Sequence, residues 1–382
     1  MIKIGITGQR GFIGTHLTNH LNHYPKQFQI VPFEDRYFEN YSQLCDWVRQ
    51  CRVIVHLAGV NRHTDAETLY RENLDLTQKL IDACEQTESK PYILFSSSIQ
   101  EERNNHYGNA KREARCRLES WASKNNAQFS GLIIPNVFGP FGRPFYNSVV
   151  ATFCYQLTHN QTPSIDSDNQ LKLIYVGNLA KQIIQLIQTK CSENGKIISE
   201  PFAETKTIPH DATISVTELL KILQNYKHSY LDKGNIPSLE NPFERDLFNT
   251  LVCYRELSTL KAIPLTLHND SRGDYAEIVR FGSSGQVSFS TTNPGITRGN
   301  HYHTRKFERF AIIRGSARIQ LRQIGTDKIH EIELHGNHPS YVDIPIWHTH
   351  NITNIGTDTL LTIFWINEHF NPDNSDTFFE NV

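Results

Sequence analysis

"IGITGQRGFIG", residues 4 to 14, carries an apolar run into three glycines spaced three apart, Gly8, Gly11 and Gly14. Glycines at a strand end that opens a helix let the turn close and let a pyrophosphate approach the backbone, where unpaired amides and the helix dipole favour an anion. The spacing TGxxGxxG, placed this close to the start of the chain, predicts a dinucleotide-binding turn, with Phe12 and Ile13 inside it among the expected cofactor contacts. Outward from the turn, apolar runs recur at "FQIVPF", "RVIVHLA", "YILFSSS" and "FSGLIIP", and helical stretches fall between them at 65–88 and 107–125. Strict alternation of strand and helix implies right-handed βαβ units and a parallel sheet covered on both faces. The first half is therefore expected to be an α/β Rossmann-type, doubly wound domain.

The chain has 382 residues, enough for a second domain with its own core. After "SVTELLKILQNY" the composition changes, and residues 232–248, rich in turn formers, read as a connector; the expected domains are 1–248 and 249–382. From about residue 275 short alternating runs dominate, and Gly315, Gly325, Gly336 and Gly356 punctuate them at the spacing of hairpin turns. That pattern predicts an all-β antiparallel barrel or sandwich. Charges nearly cancel, 38 basic against 40 acidic, which gives no field to attract nucleic acid or an anionic membrane. Seven cysteines without CxxC spacing fit reduced thiols, and no run approaches the roughly 18 apolar residues of a membrane span. A soluble cytoplasmic protein is expected.

Two constellations carry chemistry. In "FSSSIQEERNNHYGNAKREA" (95–114), Tyr107 and Lys111 lie four apart on one helix face, where an ammonium beside a phenol is expected to lower its pKa and relay a proton to an alkoxide. At the end of the second run, "FEDRYF" offers Glu34 and Asp35 to a ribose hydroxyl and Arg36 to a 2′-phosphate; Arg36 tilts the expectation to NADP(H). In the second half, His301 and His303 share a strand face at period two, Glu308 follows in the next run, and "DIPIWHTHNITN" supplies His350, a set of imidazoles and a carboxylate suited to zinc or another divalent metal.

The glycine turn with Tyr107 and Lys111 resembles the extended short-chain dehydrogenase/reductase family. That resemblance implies Ser98 as the hydroxyl that orients a carbonyl, "HLAG" (Leu57, Ala58, Gly59) and Asn73 as cofactor-loop positions, and Asn136, Arg143 and Asn147 as contacts to a nucleotide-sugar. Only nine residues separate Ser98 from Tyr107, which is short for the family, and "IYVGNLA" lacks its usual acids. The spacing Gly295, His301, His303, Glu308, Gly315, with His350 and Asn354 downstream, resembles the two motifs of the cupin family, with Trp347 standing where a glycine is usual. "NDSRGDYAEIVRF" resembles the entry of nucleotide-sugar epimerases through Asp270, Arg272, Gly273 and Glu277.

Taken together, the chain resembles the bifunctional capsular-polysaccharide and O-antigen enzymes that fuse such a reductase to a cupin. The resemblance implies C3 epimerisation of a UDP-4-keto-6-deoxy-N-acetylhexosamine in the cupin and NADPH-dependent C4 reduction in the reductase, zinc in the cupin, and a homodimer. His348 and the Asp270 region are candidates for the base. The rival expectations are a single-activity ketoreductase with a structural or dimerising cupin, and a non-catalytic sugar-sensing protein.

Overall fold

A computed structural model describes residues 1–191, 200–265, 268–270, 273–275, 285–368 and 371–382. They divide into two units, Met1–Val149 with Asp168–Val216, and Val150–Ser167 with Thr217–Val382.

In the first unit the strands are β1 (Ile2–Thr7), β2 (Phe28–Val31), β3 (Val53–His56), β4 (Tyr92–Ser98), β5 (Gln128–Ile134), β6 (Asn136–Phe138), β7 (Gln170–Tyr175), β8 (Phe202–Thr207) and β9 (Ala212–Ser215). The helices are α1 (Phe12–Asn22), α2 (Tyr41–Gln50), α3 (Ala66–Gln86), α4 (His106–Asn125), α5 (Val149–Thr158, which belongs almost wholly to the second unit) and α6 (Val176–Lys190). Six strands form one parallel sheet in the order β2-β1-β3-β4-β5-β8. Its central strands β3 and β4 begin as unbroken apolar runs, VIV and YILF, because both faces are covered there. Ile54, Ile93 and Phe95 pack with Trp47, Leu80, Leu118 and Trp121 of α2, α3 and α4. Val53, Val55 and Leu94 point the other way, onto Leu17, Leu21, Leu179 and Ile183 of α1 and α6. Each such fully buried aliphatic side chain contributes roughly 1.5–3 kcal/mol. The expected doubly wound α/β half is what forms. Helix starts are set locally: Asn40, Asp65 and Asn105 accept hydrogen bonds from first-turn amides of α2, α3 and α4, caps of about 1 kcal/mol each.

The chain leaves β1 in one direction to make β2 and crosses back to make β3 on the other side, so the topological switch point lies at the carboxyl ends of β1 and β3. The glycine turn follows β1 and "HLAG" follows β3.

The second unit opens its C-terminal stretch with α7 (Val216–Tyr226) and α8 (Pro242–Val252), followed by β10 (Ile263–Pro264), β11 (His268–Asp270), β12 (Gly273–Tyr275), β13 (Gln286–Thr292), β14 (Thr297–Tyr302), β15 (Glu308–Arg314), β16 (Ser316–Gln323), β17 (Ile329–His335), β18 (Ser340–Ile344), β19 (His348–Asn354), β20 (Leu360–Ile366) and β21 (Phe378–Phe379). Two five-stranded sheets, β10-β18-β15-β20-β13 and β17-β16-β19-β14-β21, close over Ile312, Ile319, Leu321, Leu334, Val342 and Ile344. This is the expected all-β half, with two local differences. The stretch read as connector contains the start of α8, whose Asn241 cap and Pro242 in the first turn are a start signal that the surrounding turn formers obscured. Of the four punctuating glycines only Gly325 closes a hairpin, between β16 and β17; Gly315, Gly336 and Gly356 each carry the chain from one sheet to the other. A corner and a hairpin can use similar local backbone, and only the pairing partner separates them.

Candidate functional site

At the switch point the glycines are sterically required. Gly8 has φ +68°, and a Cβ on Gly14 would stand 2.3 Å from the Gly8 carbonyl oxygen. The Thr7 hydroxyl accepts from the amides of Leu57 and Ala58, both at 3.1 Å, and so must donate its own hydrogen to His56 Nδ1 at 2.7 Å. His56 is fully buried, and burial first and the Lys111 charge second pull its pKa down to about 3, so it stays neutral with the proton on Nε2, facing Thr77 Oγ1. Asn73 closes the same loop: its Nδ2 donates to the Val60 carbonyl and its Oδ1 accepts from the Val60 amide. Thr7, His56 and Thr77 were not singled out in the sequence; the only available signal was the histidine inside "HLAG". Gln9 ties the turn to the end of β2 through the Phe33 amide, and there Arg36 pairs with Glu34 at 2.7 Å, both exposed.

Lys111 stands beside this loop. A Cβ on Gly59 would lie 3.0 Å from Lys111 Nζ and 2.8 Å from Asn73 Oδ1, so Gly59, Asn73 and Lys111 come together. The Lys111 ammonium sits 5.1 Å from the Phe95 ring centroid and 5.8 Å from that of Tyr107. Burial draws its pKa down to about 8, against a smaller opposing pull from Glu101. The Tyr107 phenol departs from the expected direction: burial, and then Tyr146, push it up to about 12. Lys111 does not counter this because its ammonium leans over Phe95 and towards Gly59.

Ser98 ends β4, and its Oγ accepts from the Gln100 amide, which leaves its hydrogen to donate. The short link to Tyr107 is a single 3-10 turn, Ile99–Glu102, and it closes because residue 108 is glycine: a Cβ there would stand 2.0 Å from the Gln100 carbonyl oxygen. Ser97 donates to Glu101, and Glu101 holds Arg115 at 2.9 Å in a largely buried pair beneath that turn. Of the expected sugar contacts, Asn136 donates to the Lys172 carbonyl across β6 and β7, Arg143 lies over the Tyr146 ring, and Asn147 is exposed.

A folding consequence follows from Lys111. Its folded pKa of about 8 lies below the usual lysine value of about 10.4, so the buried charge costs stability in full below pH 8, progressively less between 8 and 10.4, and nothing above. Lys111→Met is expected to stabilise the cofactor-free protein by about 2–4 kcal/mol at pH 7, a gain that shrinks as pH rises towards 10. Urea unfolding at the two pH values checks this.

In the second unit His301, His303, Glu308 and His350 offer ligand atoms that all lie within 4.8 Å of one another. A bulge at Gly299/His301, with Asn300 at φ +56°, turns the strand so that the histidines converge. Glu308 Oε2 lies 3.3 Å from His303 Nε2 and 3.1 Å from His350 Nε2. The opposite ring nitrogens face carbonyls, His303 Nδ1 at 2.6 Å from the oxygen of Asp376 and His350 Nδ1 at 3.3 Å from that of His348. A carbonyl only accepts, so Nδ1 carries the proton, and in the neutral imidazole each Nε2 presents a lone pair inward. His303 Nε2, Glu308 Oε2 and His350 Nε2 are buried without a hydrogen-bond partner. Three inward acceptors around one point fit a divalent cation with nitrogen and oxygen ligands.

Trp347 has φ +58°, the left-handed backbone that the usual glycine would adopt, and its ring stacks on Tyr302 at 5.6 Å. Packing against Tyr302 holds this strained residue. His348 is buried, with Nδ1 on the Ile346 carbonyl at 2.8 Å. Asp270 and Gly273 pair within the β11-β12 hairpin; Arg272 and Glu277 lie outside the described residues.

Residues 4–199 match the NAD dependent epimerase/dehydratase family and residues 268–378 match the polysaccharide biosynthesis C-terminal domain. The chain belongs to the NAD dependent epimerase/dehydratase family, continued by that polysaccharide-biosynthesis domain. It is 33% identical over 381 residues, 99% of this chain and 98% of the other, to UDP-2-acetamido-2,6-beta-L-arabino-hexul-4-ose reductase of Pseudomonas aeruginosa. The crystal structure of capsular polysaccharide assembling protein CapF from Staphylococcus aureus matches over 100% of both chains, with 32% identity and a TM-score of 0.62. The structure of RMD from Pseudomonas aeruginosa complexed with NADPH, 19% identical with a TM-score of 0.52 over 60% of this chain and 84% of that one, shares the fold. Among the described residues no helix is long and apolar enough to cross a membrane.

Proposed function

We propose that the chain reduces the C4 ketone of a UDP-4-keto-6-deoxy-N-acetylhexosamine with NADPH in its first half, after epimerising C3 in its second, to give UDP-N-acetyl-6-deoxy-L-talosamine for capsule or O-antigen synthesis. The observation that carries the reading is the Tyr107/Lys111 pair beside the dinucleotide turn in a chain similar from end to end to a UDP-hexul-4-ose reductase.

With its pyrophosphate held at the glycine turn, the cofactor would supply a hydride to C4 from its nicotinamide. Tyr107, protonated at neutral pH because its pKa is raised, gives its proton to the oxygen at C4. Ser98 donates a hydrogen bond to that oxygen, and Lys111 holds the nicotinamide ribose. Leu57, Ala58 and Gly59, fixed by Thr7 and Asn73, line the cofactor, and Arg36 selects the 2′-phosphate by exchanging its pairing with Glu34. Asn136, Arg143 and Asn147 take the sugar diphosphate. In the second half His301, His303, Glu308 and His350 would hold a divalent metal, zinc in this reading, which supplies Lewis acidity when bound. A 4-ketone is what joins the halves, since it both accepts hydride and acidifies the C3 hydrogen. The reading includes a cytoplasmic homodimer.

The test is incubation with the 4-keto sugar in deuterated water. Without NADPH, deuterium is expected at C3 by NMR; with NADPH, oxidation of the cofactor follows. Cofactor oxidation without any C3 exchange leaves the single-activity reductase with a structural barrel, the reading favoured by the reductase name of the Pseudomonas relative. Absence of both leaves the sugar-sensing protein.

A further inference from the structure

The four residues between His303 and Glu308 form a turn whose amides have no strand to pair with; the Phe307 amide donates to Asn367 Oδ1, and the C-terminal segment gathers the other three. The Asp376 carboxylate accepts from the amides of Thr304 at 3.3 Å, Arg305 at 3.0 Å and Lys306 at 3.1 Å, and from the Thr304 hydroxyl at 2.6 Å. Its side chain is 1% exposed, with the Arg305 guanidinium 3.7 Å away. The same residue's peptide oxygen takes the His303 Nδ1 proton, and its φ of +48° turns carbonyl and carboxylate onto the two targets together, a conformation aspartate tolerates. Two residues later β21 pairs with the histidine strand, His301 with Phe379 and Tyr302 with Phe378. Glu380 then anchors the segment through Arg322 at 2.8 Å, and its backbone through the Asn300 carbonyl at 2.9 Å, neither touching a ligand atom.

We propose that Asp376 is a positioning residue for the His301, His303, Glu308 and His350 cluster: its carboxylate fixes the turn that sets His303 against Glu308, and its carbonyl fixes the His303 tautomer that presents Nε2 inward. The inference rests on the reading of those four residues as ligands of a divalent metal. An imidazole whose remote N–H is held by an oxygen acceptor is oriented and made a better ligand, and loss of such a partner costs 10- to 100-fold in metal affinity. Nothing in the local sequence signals this, because Asp376 lies some seventy residues beyond the motif it serves.

Cobalt(II) is the probe, titrated into metal-stripped full-length protein against a competing chelator and followed by its visible absorption. Asp376→Asn keeps the size, the left-handed backbone and the peptide oxygen but puts an N–H₂ where a carboxylate oxygen gathered the turn amides, so the turn that sets that peptide oxygen against His303 loosens; it is expected to bind cobalt roughly 10- to 100-fold more weakly, with a shifted d–d band. Glu380→Gln, which loosens the same segment away from the ligands, is expected to match the parent. An Asp376→Asn affinity within about twofold of the parent would overturn the proposal, as would equal weakening in both variants, which would assign the effect to general anchoring of the tail. Failure of the unmutated protein to give a cobalt spectrum would instead overturn the ligand reading. Should Asp376→Asn not fold, Thr304→Val decides: weaker cobalt binding supports the role, and an unchanged affinity overturns it.

Discussion

Tyr107→Phe is expected to slow NADPH oxidation by the 4-keto sugar by about 10²- to 10⁴-fold while leaving deuterium exchange at C3 at the parent rate. The loss corresponds to roughly 3–5.5 kcal/mol of transition-state stabilisation. The substitution removes one oxygen and keeps the ring that faces Lys111 Nζ at 5.8 Å, so binding at the glycine turn is expected to persist. With its pKa pushed up to about 12, the phenol holds its proton throughout the neutral range and is available as the acid of the proposed reduction. Retention of reduction to within tenfold would remove Tyr107 from the proton path. Loss of C3 exchange together with reduction would place both steps at one site, against the proposed division between the two halves.

Asp343→Ala is expected to destabilise the protein by about 3–5 kcal/mol, read as a lowered urea midpoint in equilibrium unfolding. Arg309 and Asp343 are both buried and bonded at 2.7 and 3.1 Å; Tyr230 donates to the same carboxylate, and Tyr341 lies under the guanidinium at 3.9 Å. The pair ties β15 and β18 to the π-turned segment after α7, where Tyr230, Phe248 and Phe307 meet edge to face. Removing the carboxylate leaves a guanidinium in a dry site with the Gly234 carbonyl as its remaining acceptor of the bonds described. The double substitution Arg309→Met, Asp343→Leu is expected to recover most of the loss, because a buried pair replaced by apolar residues leaves no uncompensated charge. A single variant as destabilised as the double would contradict that account.

Legibility in the sequence differed from residue to residue. The TGxxGxxG turn was readable because its requirements are local: a Cβ on Gly14 collides with an atom six residues away, and strand and helix adjoin it. The helical stretches 65–88 and 107–125 correspond to α3 and α4 for the same reason, since period and cap lie within the segment. The corner glycines were read as hairpins because turn chemistry at Gly315 or Gly356 does not reveal which strand the next one pairs with. The Tyr107 pKa went the other way from its expected shift because spacing on a helix face sets proximity, whereas the burial and the Tyr146 that raise it, and the Phe95 over which Lys111 leans, come from elsewhere in the chain. Trp347 departs from the motif in residue type and adopts a left-handed backbone, with its ring stacked on Tyr302.

By itself the sequence determined the α/β and all-β halves, the nucleotide turn, the Tyr107/Lys111 helix face and the four residues of the His and Glu cluster, all features whose physical causes act within a few residues or recur at a fixed period. The tertiary structure alone decided the strand order that makes a switch point of β1 and β3, the neutral His56 beside the Leu57–Gly59 loop, the inward Nε2 lone pairs of the cluster, and the grip of Asp376 on His303. Each of these depends on which distant segments are brought into contact, and burial in that contact sets proton positions and charge costs that no local pattern encodes.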